Sequence, residues 1–108
     1  MKIEVLYVPE CPNHPPVIEA VADVLRECGL REQITEIKVT DSHHAVALEF
    51  PGSPTIRIDG TDIEPDLPQA ISYGLMCRTY MVDGKRQGVP RREWIRDAIM
   101  RASRCTAV

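Results

Sequence analysis

The chain has 108 residues, 44% of them apolar and 27% charged, with a formal net charge of −3. That length fits a single domain over residues 1–108 and leaves no room for a second core. The balance is that of an ordinary soluble domain, and no apolar run approaches the roughly 20 residues a spanning helix needs, so no membrane partner is expected. An acidic excess, 16 Asp and Glu against 13 Lys and Arg, argues against a nucleic-acid partner, whose binding face carries a basic surplus.

Lys2 to Val8 alternates Ile3, Val5 and Tyr7 with Glu4, Leu6 and Val8. Both faces are largely apolar, which predicts a strand covered on both sides. Glu4 and the Pro9-Glu10 break deny this stretch the continuous apolar core of a secretion signal, so a cytoplasmic location is expected. Val17, Val21, Val24, Leu25 and Cys28 then fall at helical spacing, with Pro15 and Pro16 suited to the first turn and Gly29 to a left-handed cap. Ile34 to Thr40 reads as a second strand. Asp41 or Ser42 can cap a short helix running through Ala45, Val46, Leu48 and Phe50, and Pro51-Gly52 stops it. Thr55 to Ile58 and Thr61 to Ile63 read as strands joined by the tight-hairpin signal Asp59-Gly60.

Pro65 to Pro68 reads as a loop. A segment with Tyr73, Leu75, Cys77, Thr79 and Met81 follows as a further strand, with Leu75, Cys77, Thr79 and Met81 on one face and Asp83-Gly84 as its turn. Pro90 opens a last helix with Trp94, Ile95, Ala98, Ile99 and Ala102 as its buried stripe, and Ser103 to Val108 are expected to fray. The order is β-α-β-α-β-β-α, with an insertion before the last helix. A right-handed β-α-β crossover gives parallel neighbours and the hairpin an antiparallel pair. The expected fold is therefore α/β, a mixed sheet with helices on both faces.

Four cysteines without a secretion signal are read as separate thiols. Cys11 lies between the first strand and the first helix. A thiol is nucleophilic as thiolate, and its ordinary pKa of about 8.5 falls beside cations or at a helix N-terminus. His14 can add positive charge there, or shuttle a proton. A residue before proline avoids helical geometry, so the helix can equally begin at Pro15 and leave Cys11 in a loop. An unreactive half-buried thiol and a metal ligand are the alternatives for Cys11. Cys77 can resolve a mixed disulfide at Cys11 if the Cα atoms come within about 4.4–6.8 Å; otherwise it is a buried cysteine on an added strand. Cys28 reads as core filler and Cys105 as an incidental exposed thiol. His43 and His44 point apart and are expected in solvent. Cys11, His14 and Cys77 could together take a soft metal ion, but no Cys-x-x-Cys pair supports a closed zinc site, and neither a metal nor a cofactor is expected. Trp94 reads as the anchor of the last helix, and Arg91, Arg92 and Arg96 as part of a solvated basic face.

Two motifs carry a resemblance. Cys11-Pro12-Asn13-His14 follows the first strand, and Gly52-Ser53-Pro54-Thr55 immediately precedes the third. In this element order the chain resembles the thioredoxin-like superfamily, whose redox site after the first strand is a Cys-x-x-Cys; here His14 stands at the fourth position. The resemblance implies a three-layer thioredoxin-like fold. It also implies a cis peptide at Ser53-Pro54 facing Cys11, and contacts to substrate from Pro12, Ser53, Pro54 and Thr55. The chain is also similar to short bacterial thioredoxin-like proteins that pair a Cys-Pro-Asn with a downstream Tyr-Gly-Leu-x-Cys, here Tyr73-Gly74-Leu75-Met76-Cys77. Relatives of that kind are sometimes labelled alkylmercury lyase.

The activity implied is that of a thiol-disulfide oxidoreductase or thiol-dependent reductase. Cys11 would attack a disulfide, peroxide or glutathionyl sulfur, and Cys77 or an external thiol would release the product. Two further readings stay open: a thiol protein that binds a soft metal or organomercurial through Cys11 and Cys77, and a non-catalytic scaffold that holds a partner on its Pro54 face.

Overall fold

A computed structural model describes residues 1–64 and 72–106, with side chains as far as Ser103. The expected loop at Pro65–Pro68 and the Cys105 side chain lie outside that description. The elements are β1 (Ile3–Tyr7), α1 (His14–Glu27), β2 (Ile34–Lys38), α2 (Ser42–Ala47), β3 (Thr55–Ile58), β4 (Thr61–Asp62), β5 (Tyr80–Val82), β6 (Lys85–Gln87) and α3 (Arg92–Thr106). The chain is thus mixed α/β, with a four-stranded sheet in the order β2-β1-β3-β4 and a separate two-stranded β5-β6. β1 runs parallel to β2, Ile3 opposite Ile34, and antiparallel to β3, Val5 opposite Ile56. No helix among the described residues is long and apolar enough to cross a membrane.

The alternation in β1 serves two cores. Ile3 and Val5 join Ile56 of β3, Val17 and Val21 of α1 and Ile95 of α3 in the larger one. Leu6 faces the other way, against Val39, Ala45 and Phe50 beside α2. Each such aliphatic side chain contributes about 1.5–3 kcal/mol on leaving water. The helical stripes of α1 and α3 are therefore enough to hold both against one face of the sheet. α1 ends as its glycine predicts: Gly29 has φ +69, and the Leu30 N–H reaches back to the Leu25 carbonyl at 2.9 Å.

Several boundaries differ from expectation. α2 is capped by Asp41, whose Oδ1 accepts from the His44 N–H at 2.7 Å, but it stops at Ala47; Val46 is exposed and Phe50 is buried beyond the helix end. α3 is helical through Thr106, three residues past the start of the stretch expected to fray, whose last two residues lie outside the description. Its basic face is not simply solvated. Arg92 bonds Asp23 at 3.0 Å and Arg96 bonds Glu27 at 2.7 Å, lacing α3 to α1, while Arg91 pairs with Asp83 at 2.8 Å. The bond from Arg96, aided by the charges of Arg92 and Arg26, lowers the Glu27 carboxyl below its ordinary range.

The largest correction lies in the insertion. The Asp83-Gly84 turn forms with φ +52 and +78, as a two-residue hairpin requires, but the strand before it covers only Tyr80–Val82 and its faces are reversed. Leu75, Cys77, Thr79 and Met81 are all exposed, whereas Arg78 and Tyr80 are buried. The alternation was real; the apolar set points outward because two carboxylates neutralise the guanidinium that points in.

Candidate functional site

After β1 the chain turns sharply through Glu10, at φ +63. The Cys11 N–H bonds the Val8 carbonyl at 3.3 Å, and the Cys11 carbonyl accepts from the His14 N–H at 3.2 Å. α1 begins at His14 with Asn13 as its N-cap, which places Cys11 two positions before the cap and Pro12 exposed between them. His14 is the first helical residue despite preceding Pro15, and Cys11 lies outside the helix. The imidazole stacks on Tyr7, centroids 3.6 Å apart, and its Nε2 lies 2.7 Å from a Glu36 oxygen. With Nε2 engaged on β2, only Nδ1 is left for a proton shuttle to Cys11.

Cys11 itself is buried, 7% exposed. Part of what surrounds the turn is the chain leaving β6. A Cβ placed on Gly88 would fall 2.1 Å from the Asn13 side-chain nitrogen, so this segment lies against the Asn13 side chain, and a larger residue there requires that side chain to move.

On the other side stands the Ser53-Pro54 loop, whose peptide bond is cis. The Ser53 Oγ accepts from the Val8 N–H at 3.0 Å. A segment of the insertion lies along this loop in parallel. The Gly74 N–H bonds the Phe50 carbonyl at 3.2 Å, the Ser53 N–H bonds the Met76 carbonyl at 2.8 Å, and the Arg78 N–H bonds the Ser53 carbonyl at 2.9 Å. Cys77 is therefore paired with Ser53, about 4.8 Å across a strand spacing. Of the residues singled out from sequence, Ser53 has links to both cysteine segments: its hydroxyl holds Val8, whose carbonyl accepts from the Cys11 N–H, and its main chain is bridged to Cys77. His14 is directed instead towards Tyr7 and Glu36.

Arg78 fastens this arrangement. Its guanidinium makes two bonds to Asp62, at 2.6 and 2.9 Å, one to Glu64 at 3.3 Å and one to the Thr55 hydroxyl at 3.1 Å. It also lies 4.5 Å from the centroid of the Tyr80 ring. Burial opposes its charge, but the Asp62 hydrogen bond and the surrounding negative groups outweigh that, and its pKa is raised. The Tyr80 hydroxyl donates to the Pro54 carbonyl at 2.6 Å; burial, only partly countered by Arg78, pushes its pKa up as well. Gly52 completes the fit, because a Cβ there would meet the Arg78 Cβ at 2.9 Å.

Ser53, Pro54 and Thr55 are consequently buried, with their polar groups turned onto their own chain; the Thr55 hydroxyl donates to the Gly52 carbonyl at 2.6 Å. Asp62, Glu64, Arg78 and Tyr80 escaped the sequence reading. The signal was present in two acids spaced for one strand face and in a charged residue alternating within an apolar segment.

Cys11, Cys28 and Cys77 are all free thiols, and Cys28 packs half-buried against the larger core. Among the described residues no group of three or more His, Cys, Asp or Glu side chains is arranged to hold a metal ion. A cavity of about 350 Å³ opens elsewhere, between the β3-β4 hairpin and α3, lined by Ile58, Thr61, Ala98 and Arg101 among others, with no cysteine among its described lining residues. Set beside family models, curated proteins and solved structures, the chain matches none of them.

Proposed function

We propose that the chain is a thioredoxin-like protein that carries out thiol-disulfide exchange through the pair Cys11 and Cys77. The sheet order β2-β1-β3-β4, parallel at its first pairing and antiparallel at the other two, supports the fold part of this reading, as does the division of the helices between the two faces. The observation that carries the chemistry is the pairing of Cys77 with Ser53, the residue whose hydroxyl holds Val8, to which Cys11 is hydrogen-bonded. In this reading Cys77 supplies, from the insertion, the second thiol that the Cys11 tetrad lacks.

In the reaction one thiolate of the pair attacks a substrate disulfide, forms a mixed disulfide and expels the first substrate thiolate. The second attacks the protein sulfur of that bond, closes the Cys11–Cys77 disulfide and expels the other. The substrate gains two electrons, the two protein thiols lose them, and the protons of those thiols end on the two products. An external dithiol resets the pair.

Turnover of hydroxyethyl disulfide with a dithiol as reductant tests this. Catalysis above the uncatalysed exchange is expected in the wild type and in Cys28→Ser, falling at least about tenfold in both Cys11→Ser and Cys77→Ser. Equal rates in all four proteins would sink the proposal.

A further inference from the structure

We infer that Cys77 is the thiol that meets the substrate and Cys11 the thiol that resolves it, and that the substrate is a disulfide carrying apolar groups beside its sulfur; this rests on the exchange reading above. Thiol-disulfide exchange needs three sulfurs nearly in line, with room for the substituents of the disulfide behind them. Cys11 offers little such room: it is 7% exposed, and Gly88 lies on the turn that carries it. Cys77 is exposed on a segment whose other side is clamped to Ser53.

The neighbours of Cys77 set the substrate class. Tyr73, Leu75 and Met76 are 36%, 46% and 39% exposed, so the chain on one side of the thiol presents an apolar lip rather than a charged one. Such a lip favours an aromatic or aliphatic group next to the scissile bond, and Tyr73, Leu75 and Met76 offer no cation to carboxylates such as those of glutathione. Strand addition at this loop is closed to a peptide substrate, since the Ser53 N–H and carbonyl already serve Met76 and Arg78. Selection therefore falls to the side chains of the lip.

The order of events follows. The Cys77 thiolate attacks the substrate disulfide, a Cys77–substrate bond forms, and one substrate thiolate leaves. The Cys11 thiolate then attacks the Cys77 sulfur from within, forming Cys11–Cys77 and releasing the second substrate thiolate. The two protons given up by the cysteines are taken by the departing thiolates.

The test is the reaction of full-length protein with 2,2′-dipyridyl disulfide, followed by thione release and by mass-spectrometric location of the adduct, with adducts at Cys28 or Cys105 mapped separately. Wild type should release two thiones and end as Cys11–Cys77. Cys11→Ser, and Cys11→Ala as a second variant at this buried site, should release one at the wild-type first-phase rate and keep a thiopyridyl group on Cys77. Cys77→Ser should lose that first phase by at least about tenfold.

Glutathione disulfide should be at least about tenfold slower than the dipyridyl compound, each rate divided by that with free cysteine. A fast adduct on Cys11 in Cys77→Ser would overturn the order while leaving the exchange reading intact. Equal normalised rates for the two disulfides would overturn the apolar substrate class. Wild-type adducts that never collapse to Cys11–Cys77 would overturn the exchange reading, and this inference with it.

Discussion

Arg96 meets Glu27 at 2.7 Å and Arg78 meets Asp62 at 2.6 Å, yet the first pair stands 41% and 50% exposed and the second 6% and 12%. Water screens the first pair and would solvate either partner left alone, so a bond of this kind adds little to stability. The second pair has already lost its water, and removing one member strands the other in a low dielectric. The α1–α3 lacing therefore decorates a contact made by apolar packing, whereas the Arg78 cluster is part of the contact itself. With the main-chain bonds to Phe50 and Ser53 and the Tyr80 hydroxyl, it holds the insertion, and Cys77 with it, against the Ser53-Pro54 loop. Length and geometry of an ion pair say little until its surroundings are known.

The sharpest way to break this contrast is Arg78→Met. Leaving Asp62 and Glu64 without their cation should cost about 3–5 kcal/mol in urea unfolding, and freeing Met76–Arg78 from Ser53 should slow closure of the Cys11–Cys77 disulfide by at least about tenfold. A loss indistinguishable from that of Arg96→Ala would erase the distinction between the two clusters.

Tyr80→Phe comes next. It strips the Pro54 carbonyl of its donor and should cost about 1–2 kcal/mol at neutral pH. Because burial raises the Tyr80 pKa in the folded state, its neutral hydroxyl adds stability that is complete below the unfolded value of about 10 and is lost as pH climbs from there towards the folded one. The alkaline decline of melting temperature should accordingly be shallower in Tyr80→Phe than in the wild type.

Gly88→Ala moves stability less, since the Asn13 side chain makes no cap bond and can swing aside. Its effect should appear at Cys11, where iodoacetamide alkylation is expected to rise severalfold over the wild type. Unchanged Cys11 labelling would show that the β6 exit does not restrict access.

Arg96→Ala should have the smallest effect of the four and should fade in high salt, as exposed pairs do. The Glu27 pKa is lowered in the folded state, so what this pair adds is present above the unfolded carboxyl value, about 4.3, and is lost as pH falls through the folded one. Melting curves of wild type and Arg96→Ala should converge there.

The same contrast explains what could be read from the chain before its structure. α1, α3 and the β1 alternation bury apolar residues at regular spacing, and regular spacing is what a sequence displays; Gly29, Asp59-Gly60 and Asp83-Gly84 marked their turns for the same reason. The insertion inverts that rule. Its apolar Leu75 and Met81 face water and its Arg78 faces inward, because Asp62 and Glu64, brought beside it by the β3-β4 hairpin, neutralise it. Nothing local to residues 73–81 records those carboxylates. For the site, Cys11 and the Ser53-Pro54 loop were visible as motifs. The engagement of His14 by Tyr7 and Glu36 was not, since it depends on the register that sets Glu36 opposite Val5. The pairing of Cys77 with Ser53 was hidden likewise, since it is a long-range main-chain contact that no side-chain pattern records.

Exchange through this pair requires that the insertion bring Cys77 to Cys11. Peptide mapping of wild-type protein after stoichiometric oxidation tests it most directly. One dominant cross-linked product is expected, the Cys11–Cys77 disulfide, formed within single chains and reversed by a dithiol. Cys11 recovered as a free thiol, or joined instead to Cys28 or to a second chain, would contradict it.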